Sequence, residues 1–265
     1  MAFFGFLLLV AGGALWFVRG HQGHRSRHLK LAHTTPIGEL KSLAAAVAQE
    51  IGSGDWRDYV LLWGTITTEA PLTSPMKGMP CVYYSNAVIR EYEETIREQD
   101  EKGNWRTRTQ RGSDTISQEN QSIPFDLVDQ VSERVTVNPE GADMETVEVL
   151  NEFRPGQSSG GSISFGNFSM HMGDNFGGGN RRTLGYRYRE SILAVGRQVT
   201  VLGMVSDRTG ALTVEKPNTN QPFIISPKSQ EALVQSATQN AQIAFWSMVG
   251  CLGLGTILLI VGLLS

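Results

Sequence analysis

The chain has 265 residues, with 23 Lys and Arg against 26 Asp and Glu, a formal net charge of −3 and two cysteines. Two cysteines exclude a disulfide framework and are too few for a zinc module. The acidic balance argues against nucleic acid as a partner, because neutralising phosphates is what supplies that affinity.

Both ends are apolar. Residues 2–18 and 243–264 hold no Asp, Glu, Lys, Arg or His. At about 1.5 Å per residue they reach roughly 26 and 33 Å, against a hydrocarbon core of about 30 Å. Each therefore predicts a transmembrane helix. A cleaved signal peptide fits the first poorly, since no Lys or Arg precedes the apolar run. Residues 19–36 form a basic, His-rich juxtamembrane segment with Arg19, Arg25, Arg27 and Lys30, and no Lys or Arg lies beyond either outer end. That bias predicts a two-pass integral membrane protein with its central domain on the cytoplasmic side and both termini opposite. Lipid is thus an expected partner.

The stretch "TTPIGELKSLAAAVAQEIG" predicts an amphipathic helix. Leu40, Leu43, Val47 and Ile51 recur at helical spacing, Thr35 can cap, Pro36 suits the first turn and Gly52 can terminate. From 59 to 226 strands dominate. "YVLLWGTIT" predicts a buried strand, and "CVYYSNAVIREYEETIRE" a long one returning through "DEKGN" into "WRTRTQR". Glu91, Glu93, Glu94 and Glu98 on one limb oppose Arg106, Arg108 and Arg111 on the other, as in a long solvated hairpin. "SIPFDLVD", "ERVTVNP" and "METVEVLNEF" are short strand candidates.

Residues 156–180 turn to Gly, Ser and Asn without period, which predicts a flexible insertion. "GYRYRESILAVG" reads as a short helix or turn. "RQVTVLGMVSDRTGALTVEKP" reads as a hairpin turning at 207–210, and "PFIIS" as a strand. "SPKSQEALVQSATQNAQ" predicts a helix running into the second span. The fold class expected is α+β: a β-rich domain over 37–242 flanked by two transmembrane helices. "WGTITTEAPLTSPMKGMPCVYYS" and "LGMVSDRTGALTVEKPNTNQPFIIS" share a strand, a Leu-Thr step and a Pro before an apolar strand. They leave open a duplicated, barrel-like pair of halves or a chance likeness of two hairpins.

Little of the sequence suggests catalysis. Four of the five histidines, His21, His24, His28 and His33, lie in or near the collar, and the fifth, His171, lies in the Gly-rich segment. A nucleophile in the ordered domain therefore lacks a base of the usual kind. Cys81 begins an apolar strand and reads as a small buried hydrophobe. His21, His24 and His28 are the metal candidates, weighed against a simple headgroup collar. "MHM" at 170–172 could take a soft cation, and "GGGNRR" lacks the rest of a phosphate loop. Ser247, Cys251 and Gly255 recur every four residues, a small-residue stripe on which a second helix, or a second copy of the chain, can pack.

In "PLTSPMKGMPCVYYS", "SIPFDLVD", "TVEVLNEFRPG" and "ESILAVGRQVTVLGMV", in this order between two apolar ends, the chain resembles the membrane-anchored ubiquitin or SUMO ligases called MULAN, MAPL or GIDE. The resemblance implies a beside-a-membrane (GIDE) domain between two helices. In that family a zinc-binding RING after the second helix recruits the charged conjugating enzyme. Two cysteines cannot supply about eight zinc ligands, so the expectation is a RING-less, bacterial-type member without ligase activity of its own. The reading is thus a non-catalytic binding module with no cofactor, engaging a protein, a peptide or lipid headgroups. Tyr83, Tyr84, Tyr92 and Trp105 on the hairpin are the contact candidates, with Arg187, Arg189 and Glu190. For the two early tyrosines, Tyr83 and Tyr84, core packing is the favoured reading. The rival readings are an enzyme with a cleft around Cys81, a ligase completed by a separate RING protein, and a lipid or metal sensor.

Overall fold

The computed structural model describes residues 34–52, 56–99, 103–156, 162–171, 180–208 and 210–264. Helix α1 (Ile37–Ile51) comes first and stops at Gly52, whose φ of 93° suits a residue without Cβ. Its N-terminus differs from the expectation. Pro36 is the N-cap, no side chain caps it, and the Thr35 N–H donates to Leu61 O instead. The helix buries Ile37, Leu40 and Ala44, whereas Leu43 is 45% exposed. The apolar stripe is therefore rotated toward the smaller residues.

Strands β1 (Arg57–Thr67), β2 (Leu72–Thr73), β3 (Pro80–Gln99), β4 (Trp105–Ser122), β5 (Phe125–Val128), β6 (Arg134–Val137) and β7 (Asp143–Met144) follow. Next come β8 (Val147–Pro155), β9 (Ser162–Phe165), β10 (Phe168–His171), β11 (Arg181–Ala194), β12 (Gln198–Ser206), β13 (Thr213–Glu215) and β14 (Ile224–Ser226). Helix α2 (Gln230–Leu264) ends the described chain.

Five strands close a ring. β1 pairs with β5, β5 with β6, β6 with β13 in parallel, β13 with β12, and β12 returns to β1. Taken in sequence, the ring order is 1-2-3-5-4, that of a five-stranded Greek-key barrel of the OB type. Its interior holds Val60, Leu62, Ile66, Leu127, Val135, Val201 and Val214, with α1 packed against them. Each such side chain contributes about 1.5–3 kcal/mol by leaving water.

Two long inserts interrupt that barrel, while α1 precedes it and β14 and α2 follow it. The chain between its first and second strands supplies β2, β3 and β4, and that between its third and fourth supplies β7 to β11. From these inserts comes a second sheet, in which β2 and β4 flank β3 on one side and β11, then β8, lie on the other. The long hairpin is β3 against β4, paired from Tyr83↔Ser122 to Gln99↔Trp105. The two similar stretches do not form equivalent halves. Their first strands, β1 and β12, are neighbours in one barrel, while β3 leads to the second sheet and β14 stays on β12.

Two expectations are corrected. "GYRYRESILA" lies in strand β11, because Tyr186, Tyr188, Glu190 and Ile192 alternate and all four are buried. Part of the Gly-rich segment is ordered as well. Residues 162–171 form the β9–β10 hairpin, with Ile163 and Phe165 buried against the second sheet.

Helix α2 packs its first turns on the barrel through Leu233, which meets Leu61, Leu202 and Ile224. Farther along, Ile243, Trp246, Val249, Leu252 and Leu254 are exposed. Among the described residues, no helix is long and apolar enough to cross a membrane. Of the two spans expected from sequence, the second is therefore not borne out. Residues 2–18 lie outside the described residues, as do the side chains of 257–261 in α2.

Candidate functional site: the two faces of the inserted sheet

The second sheet has one charged face and one buried face, because its strands alternate. On the charged face the Arg187 Nε donates to Glu91 Oε1 at 2.7 Å and its Nη1 to Asn151 Oδ1 at 3.2 Å. Beside it, Arg189 Nη2 donates to Glu148 Oε2 at 2.8 Å, and Arg182 Nη2 to Glu93 Oε2 at 3.0 Å. The Arg189 guanidinium, then Asn151, hold the Glu148 carboxyl below the usual carboxylate range. Such exposed pairs order a surface more than they stabilise it.

Glu190 leaves this group. It is fully buried on the opposite face and clamps the 74–79 turn. Its Oε2 accepts from the Ser74 hydroxyl at 2.9 Å and the Lys77 N–H at 2.9 Å, and its Oε1 from the Met76 N–H at 2.7 Å. Ser74 in turn accepts from the Met79 N–H at 3.1 Å. A carboxylate taken out of water requires such donors, and here the backbone supplies two.

Nearby, Tyr84 is buried with Cys81 and Ile192, its hydroxyl donating to Gln121 Oε1 at 2.9 Å. Tyr83 is half-buried and packs toward the barrel. Burial, then the Glu190 charge, push the Cys81 thiol up to about 11. Asn86, 1% exposed, pairs in register with Glu190, and its side-chain amide has no partner among the described residues.

Farther along the buried face, the Tyr92 ring lies over Gly112, where a Cβ would meet its Cζ at 2.7 Å. The Arg181 guanidinium stands 4.7 Å and that of Arg90 5.3 Å from the ring centroid. Arg90 donates to Asp114 Oδ2 at 2.6 Å. Tyr92 is therefore a packing residue with a cationic cover. At the hairpin end, Trp105 is 70% exposed. Of the four aromatic contact candidates, only Trp105 stands clear of the protein.

A cleft of about 430 Å³ lies between α1 and the barrel rim. Ala44, Ala45 and Ala48 leave it open, and Asp126, Arg134, Thr136 and Asp207 line it. Thr136 donates to Asp126 Oδ1 at 3.0 Å, the Trp56 N–H donates to Asp207 Oδ1 at 3.1 Å, and Lys41 pairs with Glu133. Nothing in it joins a nucleophile to a base. Among the described residues, no cluster of His, Cys, Asp and Glu is arranged to hold a metal ion. The collar histidines His21, His24 and His28 lie outside the described residues.

The sequence model of the GIDE family, described as E3 ubiquitin ligase, matches residues 93–261. The chain belongs to the GIDE family. No curated protein and no solved structure matches it. In this GIDE chain the matched region takes in the outer third of β3, both charged and buried faces of β11, barrel strands β5, β6, β12 and β13, and most of α2. Glu190, Arg187, Arg189 and Trp105 fall within it; Tyr83, Tyr84 and Tyr92 precede it. On α2, Ser247 is exposed, Cys251 half-buried and Gly255 buried, so the stripe is covered unevenly.

The sequence reading missed Arg154, and it left Phe165, in the Gly-rich insertion, open between a recognition arm and the core. The Arg154 guanidinium sits 3.9 Å from the Phe165 ring centroid, and Phe165 stacks at 4.8 Å on Tyr188. The alternation in "SISF" was the available signal, obscured by glycine on both sides.

Proposed function

We propose that this GIDE-family chain is a non-catalytic recognition module of a ubiquitin-ligase-related system, held beside a bilayer by α2. One observation carries the reading. Helix α2 leaves the barrel without a linker and then exposes Ile243, Trp246, Val249, Leu252 and Leu254, with no charged residue after Glu231. An apolar surface of that kind on a helix is a lipid-facing or partner-facing one. The four bases following residue 18 favour the cytoplasmic side for the barrel, with both termini opposite.

Recognition falls to the charged sheet face with Arg187 and Arg189, to Trp105 at the ribbon end, and to lipid headgroups near the collar. The two cysteines of these 265 residues are too few to build a zinc-bound recruiting module within them. The test is membrane flotation of the full chain beside a version stopped at Gln242. The full chain should float and resist alkaline carbonate, and the shortened one should lose that resistance. Full extraction of the complete chain by carbonate would overturn the anchor. Crosslinking in native membranes should then trap a protein through a photoreactive group at position 105, and no specific adduct there would overturn the recognition role.

A further inference from the structure

The β9–β10 hairpin is held differently from the strands of the second sheet. Among the described residues its two strands pair only with each other, as a two-stranded sheet of their own. Hairpins of that size are marginal on their own. This one is fixed by docking: Ile163 and Phe165 lie on Met76, Val88, Leu150, Tyr186 and Tyr188.

The floor beneath it is built without it. Val88 and Tyr188 belong to paired central strands, and Met76 is set by the Glu190 clamp. Where the tip lands, Gly166 has a φ of 58°, and a Cβ there would collide with Met76 O. The Asn167 N–H donates to Pro75 O at 2.9 Å. On the same face, two residues from Val88, the buried Asn86 amide has no partner among the described residues. A preformed apolar floor, an arginine poised over an aromatic ring, and a locally paired hairpin laid on top together describe a groove and its occupant.

We propose that this face of the sheet is a docking groove for an extended segment carrying an aliphatic–x–aromatic pair. The β9–β10 hairpin, through Ile163 and Phe165, is its internal occupant, and a protein partner engages by taking the hairpin's place. Pocket recognition of alternate side chains by a sheet is how extended peptides are usually read. The occupant in cis lowers the apparent affinity for a partner by the fraction of time it is docked. Arg154 is the positioning residue, stacking on whichever aromatic ring fills the Phe165 place. This deepens the recognition reading above and does not depend on the membrane.

The experiment uses the full chain in detergent and a variant whose residues 162–171 are replaced by an equal length of Gly and Ser. The probe is a fluorescent synthetic peptide of sequence SISFGNFSMH. The variant should melt cooperatively and bind the peptide in the micromolar range. The unaltered chain should bind at least about tenfold more weakly, because its groove is filled. A peptide carrying Phe165→Ala, or the variant carrying Arg154→Ala, should each lose about tenfold. Hydrogen exchange on the unaltered chain gives a second readout. Hairpin amides should exchange about a hundredfold faster than those at the centre of β3 and β11, the sign of a unit that opens alone. A variant that cannot fold, a folded variant that ignores the peptide, or hairpin amides that open only with β3 and β11 would each overturn the proposal. Failure of flotation would overturn the anchor and leave these outcomes untouched.

Discussion

Glu190 holds Met76 in place: a fully buried carboxylate on β11 accepts the Met76 N–H at 2.7 Å and completes its shell with Ser74 and Lys77. Replacing it with Gln removes the charge and one acceptor oxygen while keeping the shape. Hydrogen bonds to a charged group are worth about 1.5–3 kcal/mol each. Glu190→Gln should therefore lower stability by about 2 kcal/mol, read from denaturant melts. A change within about 0.5 kcal/mol would mean that the clamp is ornamental.

Alkaline pH should expose the same region. The Cys81 thiol is pushed up to about 11 by burial and then by the Glu190 charge. Burial also raises the phenols of Tyr59, Tyr84 and Tyr188. Each group keeps its proton longer in the fold than in the unfolded chain. The stabilisation is therefore complete below the unfolded values, near pH 9 for the thiol, and is lost as pH rises through the folded ones. From Cys81 alone the loss between about pH 9 and 11 is of order 2–3 kcal/mol. Native protein at pH 8 should leave Cys81 unalkylated by iodoacetamide, while urea-unfolded protein should react. Equal labelling rates in both states would contradict the burial of this thiol.

Much of this was legible in the sequence, and the exceptions share a cause. Strands β1, β3, β12 and β14 announce themselves by long apolar runs, and α1 by its period. β11 hides because its inward side chains include two tyrosines and a glutamate, polar letters that a hydropathy pattern discounts. The alternation becomes clear only once the carboxylate has partners, and those come from Ser74, Met76 and Lys77, more than a hundred positions away. The barrel was hidden for a similar reason. Its strands are separated by two long inserts, so closure of β12 on β1 joins residues some 140 apart. For the candidate site, Trp105 and the Arg187 and Arg189 face were readable from local composition. Glu190 was not, because whether a polar side chain faces the core is a tertiary fact, whereas the core packing favoured for Tyr84 is what the structure shows.

The Tyr92 ring makes a size prediction. It lies against Gly112 directly across the hairpin, with an added Cβ 2.7 Å from both Cζ and Oη. Gly112→Val must push the ring off its place between Arg181 and Arg90. Overpacking of this kind costs typically about 1–3 kcal/mol. Tyr92→Phe should cost far less, since it keeps the ring over which both arginines stand. If Gly112→Val melts with the parent, the ring is freer than its cover implies.

The last prediction separates holding from binding on the charged face. Arg189 lies beside Glu148 at 2.8 Å, with about half of its side chain exposed, and Trp105 is exposed at the ribbon end. Exposed ion pairs contribute about 0–1 kcal/mol because two long side chains lose freedom and water screens the attraction. Arg189→Ala and Trp105→Ala should therefore each shift stability by less than about 1 kcal/mol. Partner capture should respond very differently, since Trp and Arg are the residues through which interfaces concentrate their energy. The double variant should retain the parent's melting curve and lose most of the crosslinked product formed in native membranes. Unchanged crosslinking would remove this face from the interface and leave the α1 cleft, with Arg134 and Asp207, as the surface that meets the partner.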